Sequence, residues 1–260
     1  MKKKILVLDV GGTNVKVLLS GQKTPLKIPS GSGLTASKMV ADVKHATAGW
    51  KYDAITIGFP APVIRGKVLK EPANLGRGWL RFDFEKAFRK PVRIINDAAM
   101  QALGSYEGGT MLFLGLGTGL GSALIVDGAL APMEIAHMPF RKGEYEDYVG
   151  LRGTKKYGKR KWRKYVFEIA AILKAGLVAD YVVFGGGQTK LLKKIPDGCR
   201  LGSNDKAFAG GQRLWDDLVS VRSARRGAPR RGRAPIVGTA PAAEESVAPA
   251  PAETVGAETP

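Results

Sequence analysis

An aspartate near the end of an apolar run, followed by two glycines, is the first feature that could do chemistry. Residues 5–10 read ILVLDV, and Gly11, Gly12 and Thr13 separate this run from a second apolar one. A plain hairpin explains the glycines, because they supply the positive φ angles of a tight turn. It leaves Asp9 unexplained, because burying an unpaired carboxylate is costly. The alternative is a phosphate-binding hairpin, in which backbone N–H groups and the threonine hydroxyl contact an anion and the aspartate holds Mg²⁺ or its water. This stretch alone favours neither.

Two more glycine-rich turns follow apolar runs, GLGTGLG at residues 115–121 and GGG at residues 185–187. No P-loop motif G-x-x-x-x-G-K-[ST] occurs in the sequence. The dinucleotide fingerprint G-x-G-x-x-G fails as well, because glycine stands at every second position of GLGTGLG and a strand follows it. Each turn alone is explained as an ordinary turn. Together the three turns indicate an anion held between two lobes.

Three ionisable residues are candidates for acid–base or ligand chemistry. Asp97 follows the apolar run VRIIN and opens a helical pattern, so its spacing alone favours a helix N-cap. Glu134 and His137 form E-x-x-H, which alone indicates a local surface pair or half of a metal site. No second half is visible, and the chain has two histidines.

The charge of the chain predicts a polyanionic partner. The formal net charge is +18, and residues 222–260 hold six arginines and four glutamates, which leaves +16 on residues 1–221. A body this basic favours nucleic acid, an anionic surface or an inorganic polyanion, although a solvated basic surface explains it too. The densest run outside the tail is KKYGKRKWRKY at residues 155–165, with seven basic and three aromatic residues. It is typical of a solvated helix face or of a site for single-stranded nucleic acid.

The elements that position these residues alternate between strands and helices, which indicates an α/β fold. Residues 1–108 form a first block, in which TASKMVADVKHAT predicts a helix capped by Thr35 or Ser37. Residues 109–221 form a second block, which repeats the opening order of strand, glycine turn and strand. A helix is predicted near residues 161–175 of this block.

Composition excludes several classes of protein. Residues 222–260 contain no aromatic residue and are rich in Ala, Pro and Arg, so we predict a disordered tail. One cysteine, Cys199, excludes a disulfide framework and a zinc site built from several cysteines of one chain, and it is typical of a reducing compartment. The apolar run after the first lysines is too short for a signal peptide, and no stretch approaches a membrane span. We therefore expect a cytoplasmic protein with no membrane partner.

Five motifs together resemble a known family. LDVGGTNVK, INDAAMQALG, LGLGTGLGSALIVDG, EIAHM and VVFGGG have the order and spacing of the ROK sugar kinases, and most closely those of polyphosphate glucokinases. The resemblance covers roughly residues 5–215. It implies an actin-like ATPase (ribonuclease H-like) α/β fold of two lobes with a cleft between them, and the lobes would be residues 1–108 and 109–221. The cysteine-rich zinc motif common in other ROK proteins is missing, so no structural zinc is expected.

The resemblance also implies a role for each motif residue. Asp97 would be the general base that takes the proton from the sugar hydroxyl. Asp9 would lie near Mg²⁺. The residues implied to bind phosphate are Asp9, Gly11, Gly12, Thr13, Lys16, Gly117, Thr118, Gly119, Gly186 and Gly187. The residues implied to bind the sugar are Asn74, Asn96, Asp97, Glu134 and His137. A polyphosphate track would use Lys159, Arg160, Lys161 and Arg163.

The expected function is that of a hexose kinase. It would transfer a phosphoryl group from polyphosphate, ATP or both to the 6-hydroxyl of glucose or a related hexose, and the resemblance allows a homodimer. Relatives usually carry glycine where this chain has Ala61 and Ala136, and both changes fall at the sugar pocket, so the hexose stays open. Two alternatives stand beside the enzyme: a sugar-sensing regulator of the ROK type, and a nucleic-acid-binding protein. The chain starts at the first strand, whereas ROK repressors place a helix-turn-helix before it, which counts against a repressor.

Overall fold

The structure is a computed structural model that describes residues 3–216, so the predicted tail at residues 222–260 lies outside the described residues. The first part of the chain runs through β1 (Ile5–Val10), β2 (Asn14–Leu19), β3 (Leu26–Pro29), α1 (Ala36–Ala46), β4 (Ala54–Phe59), β5 (Val63–Ile64), β6 (Lys67–Val68), α2 (Phe84–Phe88), β7 (Val92–Asn96) and α3 (Asp97–Ser105). The second part runs through β8 (Thr110–Leu116), β9 (Leu120–Val126), β10 (Ala129–Met133), β11 (Pro139–Phe140), β12 (Gly143–Glu144), α4 (Tyr145–Val149), α5 (Leu151–Gly176), β13 (Tyr181–Gly185), β14 (Cys199–Leu201) and α6 (Lys206–Arg213).

Two five-stranded sheets with the same plan form the framework. The first has the order β3-β2-β1-β4-β7 and the second the order β10-β9-β8-β13-β14. In each, a meander of three antiparallel strands is extended by two parallel strands. The predicted α/β class and the repeated order of strand, glycine turn and strand are confirmed. The lobe boundaries at residues 108 and 221 stay predictions, because α6, from the end of the described chain, packs against the first sheet.

Alternating side chains bury both faces of each sheet, as the period of two in a strand requires. In β1, Val7 belongs to a core shared with α3 and α6, whereas Leu8 belongs to a separate core under α1. In β8, Phe113 faces the shared core, whereas Leu114 faces the core that contains Trp162 of α5. The layers therefore run from α1 through the first sheet, the pair α3 and α6, and the second sheet to α5. Within residues 3–216, every helix is too short or too polar to span a bilayer.

The longest helix differs from its predicted range. It starts at Leu151, about ten residues before the predicted start, and the backbone breaks at Gly158 with φ 72° and ψ 160°. Gly153 and Gly158 lie near its start, although glycine in a helix interior costs about 1 kcal/mol. Gly153 is nevertheless required, because a Cβ there would overlap the backbone of Tyr148. At the first helix the prediction is confirmed: Thr35 is the N-cap, and its side chain accepts from the N–H of Lys38.

Helices α3 and α6 cross in direct backbone contact between the two sheets. A Cβ added at Gly104 would overlap the carbonyl of Lys206, and one added at Gly210 would overlap the carbonyl of Met100. Gly211 lies against the side chain of Val7 in β1. The glycines thus set how closely the two sheets approach each other.

We expect Gly104→Ala to destabilise the fold. Alanine gains about 1 kcal/mol of helix propensity over glycine, but overpacking against a backbone that cannot rotate away costs about 1–3 kcal/mol or more. The measurement is the free energy of unfolding in urea. Gly176→Ala at the end of α5 is the matched control, because no atom lies within 4 Å of its new Cβ. If the unfolding free energy of Gly104→Ala equals or exceeds that of wild type, α3 and α6 can move apart without loss of stability.

Candidate active site

The first glycine turn is a hairpin whose aspartate has a partner. Asp9 and Lys16 face each other across β1 and β2, with Asp9 Oδ2 3.4 Å from Lys16 Nζ. The Asp9 side chain is 15% exposed, and its burial raises its pKa, while Lys16 opposes that shift. Gly12 and Thr13 at the turn are exposed. The geometry therefore combines a hairpin with a partly buried ion pair and leaves the tip open to solvent. Neither Gly11 nor Gly12 has the positive φ that a tight two-residue turn predicts.

Asp97 lies at the junction of β7 and α3, as the sequence predicted, but it is not the helix cap. The cap is Asn96, whose Oδ1 accepts from the N–H of Ala98 at 2.9 Å and from that of Ala99 at 3.2 Å. The Asn96 side chain, which is predicted to contact the sugar, therefore also caps α3. Its Nδ2 donates to the carbonyl of Ala61 at 3.4 Å. Asp97 Oδ1 accepts only from Ala98 N, at 2.8 Å, among the bonds of the described residues.

Three carboxylates from different parts of the chain converge. The pKa of Asp97 is raised from 3.8 to about 6, mainly by burial and further by the negative charges of Asp9 and Glu134. Asp9 comes from the first hairpin and Glu134 from the segment after β10. Hence two residues of the first sheet region and one of the second share one electrostatic site. A carboxyl with a pKa near neutrality is suited to exchange a proton with substrate.

The E-x-x-H pair is part of a larger acidic cluster that the sequence reasoning missed. His137 Nδ1 lies 2.7 Å from Glu144 Oε2 and 3.9 Å from Glu146 Oε1. The hydrogen bond with Glu144 and the charge of Glu146 raise the pKa of His137. The Glu146 carboxylate also lies beside Gly119 of the second glycine turn. The strands β11 and β12 bring these groups together, and the acidic stretch EYED was the available sequence signal.

The second and third glycine turns lie side by side at the ends of β8 and β13. Gly115 and Gly185 are partners in the parallel ladder, and Gly186, at φ +84°, packs so closely on Leu116 that a Cβ would overlap its backbone. Gln188 after the third turn donates its Nε2 to the carbonyl of Gly117 at 2.6 Å. The structure therefore brings the two predicted phosphate turns together.

The second glycine turn also lies close to Asp97, the candidate base. The remaining sugar-binding candidate, Asn74, lies elsewhere, at the first hairpin. A Cβ at Gly121 would lie 2.8 Å from Ala98 Cβ, so β9 begins against the start of α3 beside Asp97. Asn74 is exposed and lies against Gly12, whose added Cβ would be 3.4 Å from Asn74 Cβ. Asn74 is thus brought to the first hairpin rather than to the His137 cluster.

The predicted polyphosphate track divides into two kinds of residue. Lys159, Arg160 and Lys161 are exposed on α5 directly after the break at Gly158. Arg163 is partly buried and donates to the carbonyl of Leu191 at 3.1 Å, just after the third glycine turn. Through Arg163, the basic segment therefore lies close to the third glycine turn, whose Gly186 and Gly187 are predicted to bind phosphate.

A family model described as ROK family matches residues 5–132. Residues 5–132 therefore contain a ROK family domain. It is 27% identical over 205 residues to the polyphosphate glucokinase of Mycobacterium leprae, and the match covers 72% of this chain and 60% of that protein's length. The structure matches the inorganic polyphosphate/ATP-glucomannokinase of Arthrobacter sp. strain KM with a TM-score of 0.67 at 21% identity, covering 82% of this chain and 98% of the other. It also matches a ROK family transcriptional regulator, a homologue of the E. coli MLC protein, with a TM-score of 0.64 at 15% identity, covering 82% and 78%.

These similarities establish the fold, which is the actin-like ATPase fold of two lobes. The predicted fold class and the predicted family are confirmed. The assignments of individual site residues stay predictions.

We expect the Asp97 carboxyl to titrate near pH 6 rather than near 3.8. Because repulsion from Asp9 contributes to the shift, Asp9→Asn should lower the pKa of Asp97. The measurement is an NMR titration of side-chain carboxyl carbons, with Asp97→Asn used to assign the signal. Asp42→Asn, on the far side of the first sheet, is the control and should leave the pKa unchanged. A wild-type pKa near 3.8 would contradict the convergence of carboxylates described above.

Proposed function

We propose that this protein is a sugar kinase of the glucokinase type. It transfers a phosphoryl group from polyphosphate, ATP or both to the 6-hydroxyl of glucose or a related hexose. The observation that carries the proposal is the Asp97 carboxyl, with its pKa raised to about 6, beside Asp9 and the glycine turns. Relatives and structural neighbours named as polyphosphate glucokinase and glucomannokinase support this type of phosphotransferase.

Asp97 is assigned the proton transfer. As the sugar hydroxyl oxygen forms its bond to the transferred phosphorus and the bond to the donor's bridging oxygen breaks, the hydroxyl proton passes to the Asp97 carboxylate. A pKa of about 6 leaves this carboxylate mostly ionised at pH 7 and still basic enough to accept a proton. Burial of the group, the main cause of the raised pKa, thus serves the reaction.

The convergence of carboxylates fits a divalent cation. Asp9 offers a buried carboxylate oxygen, the type of ligand that Mg²⁺ prefers, at a place where its own pKa is raised by burial. We assign Asp9 to hold Mg²⁺, directly or through water. The ion, when bound, neutralises charge on the donor phosphates. Lys16 adds a fixed positive charge at the same hairpin.

Charge supports polyphosphate as a donor. A nucleotide requires a few cationic contacts, whereas a phosphate polymer extends over a basic surface and binds in a salt-dependent way. The chain carries +18 in total; Lys159, Arg160 and Lys161 are exposed, and the neighbouring Arg163 contacts Leu191 just after the third glycine turn. A cytoplasmic location and a homodimer stay predictions.

A sugar-sensing regulator is the second candidate, because the fold matches a ROK family transcriptional regulator nearly as well as it matches the glucomannokinase. Asp97, with its raised pKa, favours the enzyme, because a sensor requires no general base. A coupled assay with glucose, supplied separately with ATP and with polyphosphate, discriminates the two. Sugar binding without turnover with either donor would favour the regulator.

We expect Asp97→Asn to fold normally and to lower kcat by roughly 10²-fold or more, the range for loss of a general base. Asp42→Asn is the matched control and should keep wild-type turnover. For wild type, kcat/KM should fall as pH decreases through about 6, because protonation of Asp97 removes the base. Turnover of the Asp97 variant within a few-fold of wild type would remove Asp97 from the reaction.

We expect the triple change of Lys159, Arg160 and Lys161 to glutamine to raise the KM for polyphosphate, most strongly for long chains. The log–log dependence of polyphosphate binding on salt should become shallower by about 2, as expected for three lost phosphate contacts. The KM for glucose should stay unchanged. Arg163→Gln is tested separately, because Arg163 also holds the carbonyl of Leu191.

A variant with Lys23, Lys51 and Lys86 changed to glutamine controls for the three lost charges, because these exposed lysines lie in the first part of the chain. Equal polyphosphate kinetics in wild type and the triple variant would exclude the α5 segment from the donor site. Activity with ATP and none with polyphosphate would overturn the donor assignment itself.

A further inference from the structure

Gln188 is a buried amide that joins three separate segments. Its side chain is held at both ends: Nε2 donates to the carbonyl of Gly117 at 2.6 Å, and Oε1 accepts from the hydroxyl of Thr154 at 2.6 Å. Its backbone N–H donates to the carbonyl of Leu116 at 3.0 Å. The residue is 8% exposed. Gln188 therefore ties the second glycine turn to the third glycine turn and to the start of α5.

The tie fixes the direction of the backbone in the second turn. All three carbonyls of the turn accept from protein donors: Gly117 O from Gln188, Thr118 O from the N–H of Leu151 at 3.1 Å, and Gly119 O from the N–H of Gly117 at 3.2 Å. In a planar trans peptide, the N–H of the next residue points opposite to the carbonyl. The N–H groups of Thr118 and Gly119 consequently point away from Gln188 and α5.

Glutamine is chemically suited to this position because it is a donor and an acceptor at once. A carboxylate would present no donor to the Gly117 carbonyl. An apolar side chain of the same length would leave both the carbonyl and the Thr154 hydroxyl without this partner, and an unsatisfied buried polar group is costly. The third glycine turn itself holds no side chain that could do the same.

We infer that Gln188 is a positioning residue for the phosphoryl donor. By holding the Gly117 carbonyl, it aims the N–H groups of Thr118 and Gly119 at the donor phosphates. Because Thr154 immediately precedes the basic residues of α5, the same side chain also fixes that helix relative to the phosphate turn. This inference rests on the proposed function, but it concerns binding of phosphate rather than proton transfer.

The test compares Gln188→Met with wild type by calorimetry, with inorganic tripolyphosphate and glucose as separate ligands. We expect the Kd for tripolyphosphate to rise about tenfold, equivalent to one hydrogen bond to a charged group. The Kd for glucose should stay within twofold, roughly the reproducibility of such titrations. Gln22→Met, at an exposed loop of the first sheet, is the matched control and should change neither constant. Weaker binding of both tripolyphosphate and glucose by Gln188→Met would indicate a general loss of structure around the site and would overturn the assignment.

Thr154→Val is the second variant, in case Gln188→Met does not fold. It removes one of the two side-chain bonds and keeps the bond to the Gly117 carbonyl, so a smaller loss of tripolyphosphate affinity in the same direction is expected. Unchanged tripolyphosphate affinity in both variants, or no binding by wild type, would overturn the inference. None of these titrations requires turnover, so they test the inference independently of the proposed function. If the proposed function were wrong, the wild-type protein would bind both ligands but transfer no phosphoryl group.

Discussion

The close crossing of α3 and α6 is the constraint on which the rest of the structure depends. Glycine at positions 104 and 210 lets the two helix backbones touch, and the two sheets pack on either side of that pair. Asp97 starts one of these helices. The crossing therefore sets how near Asp97 comes to the hairpin of the first sheet and to the segment after β10 in the second. Without that approach, Asp97 would lose the repulsion from Asp9 and Glu134 that adds to the effect of burial on its pKa.

The site combines opposite electrostatic demands. Asp9 and Glu134 both repel Asp97, and these carboxylates would repel a phosphate, whereas the chain as a whole is strongly basic. Lys16 compensates Asp9 only in part, since the pKa of Asp9 is still raised. Backbone N–H groups of the glycine turns attract anions without adding a charge that would neutralise the carboxylates. This division of tasks allows a base and an anion site to lie next to each other.

Local patterns made the framework predictable, and long-range contacts limited the prediction of the site. The Asp9 hairpin, the Thr35 cap and the junction at Asp97 are short-range features with a recognisable pattern. The roles of Glu144 and Glu146 depend on a small hairpin that folds back on His137, and no spacing in the sequence encodes that contact. Gln188 is similar, because its partners lie 71 and 34 residues away. At the start of α5, close packing of Gly153 on the backbone of Tyr148 outweighs the low helix propensity of glycine.

The position of α6 has a consequence for how the protein folds during synthesis. The inner face of the first sheet is covered by a helix from the end of the described chain: Gly211 lies on Val7, and the buried Thr56 hydroxyl donates to the carbonyl of Gly211. The partners of this last bond are 155 residues apart. The first sheet, although translated first, therefore exposes its apolar inner face until the helix has emerged from the ribosome. Contacts of such separation slow folding and leave surfaces open to association with other chains. In such a nascent chain the earliest strands stay open to association with other chains until α6 arrives.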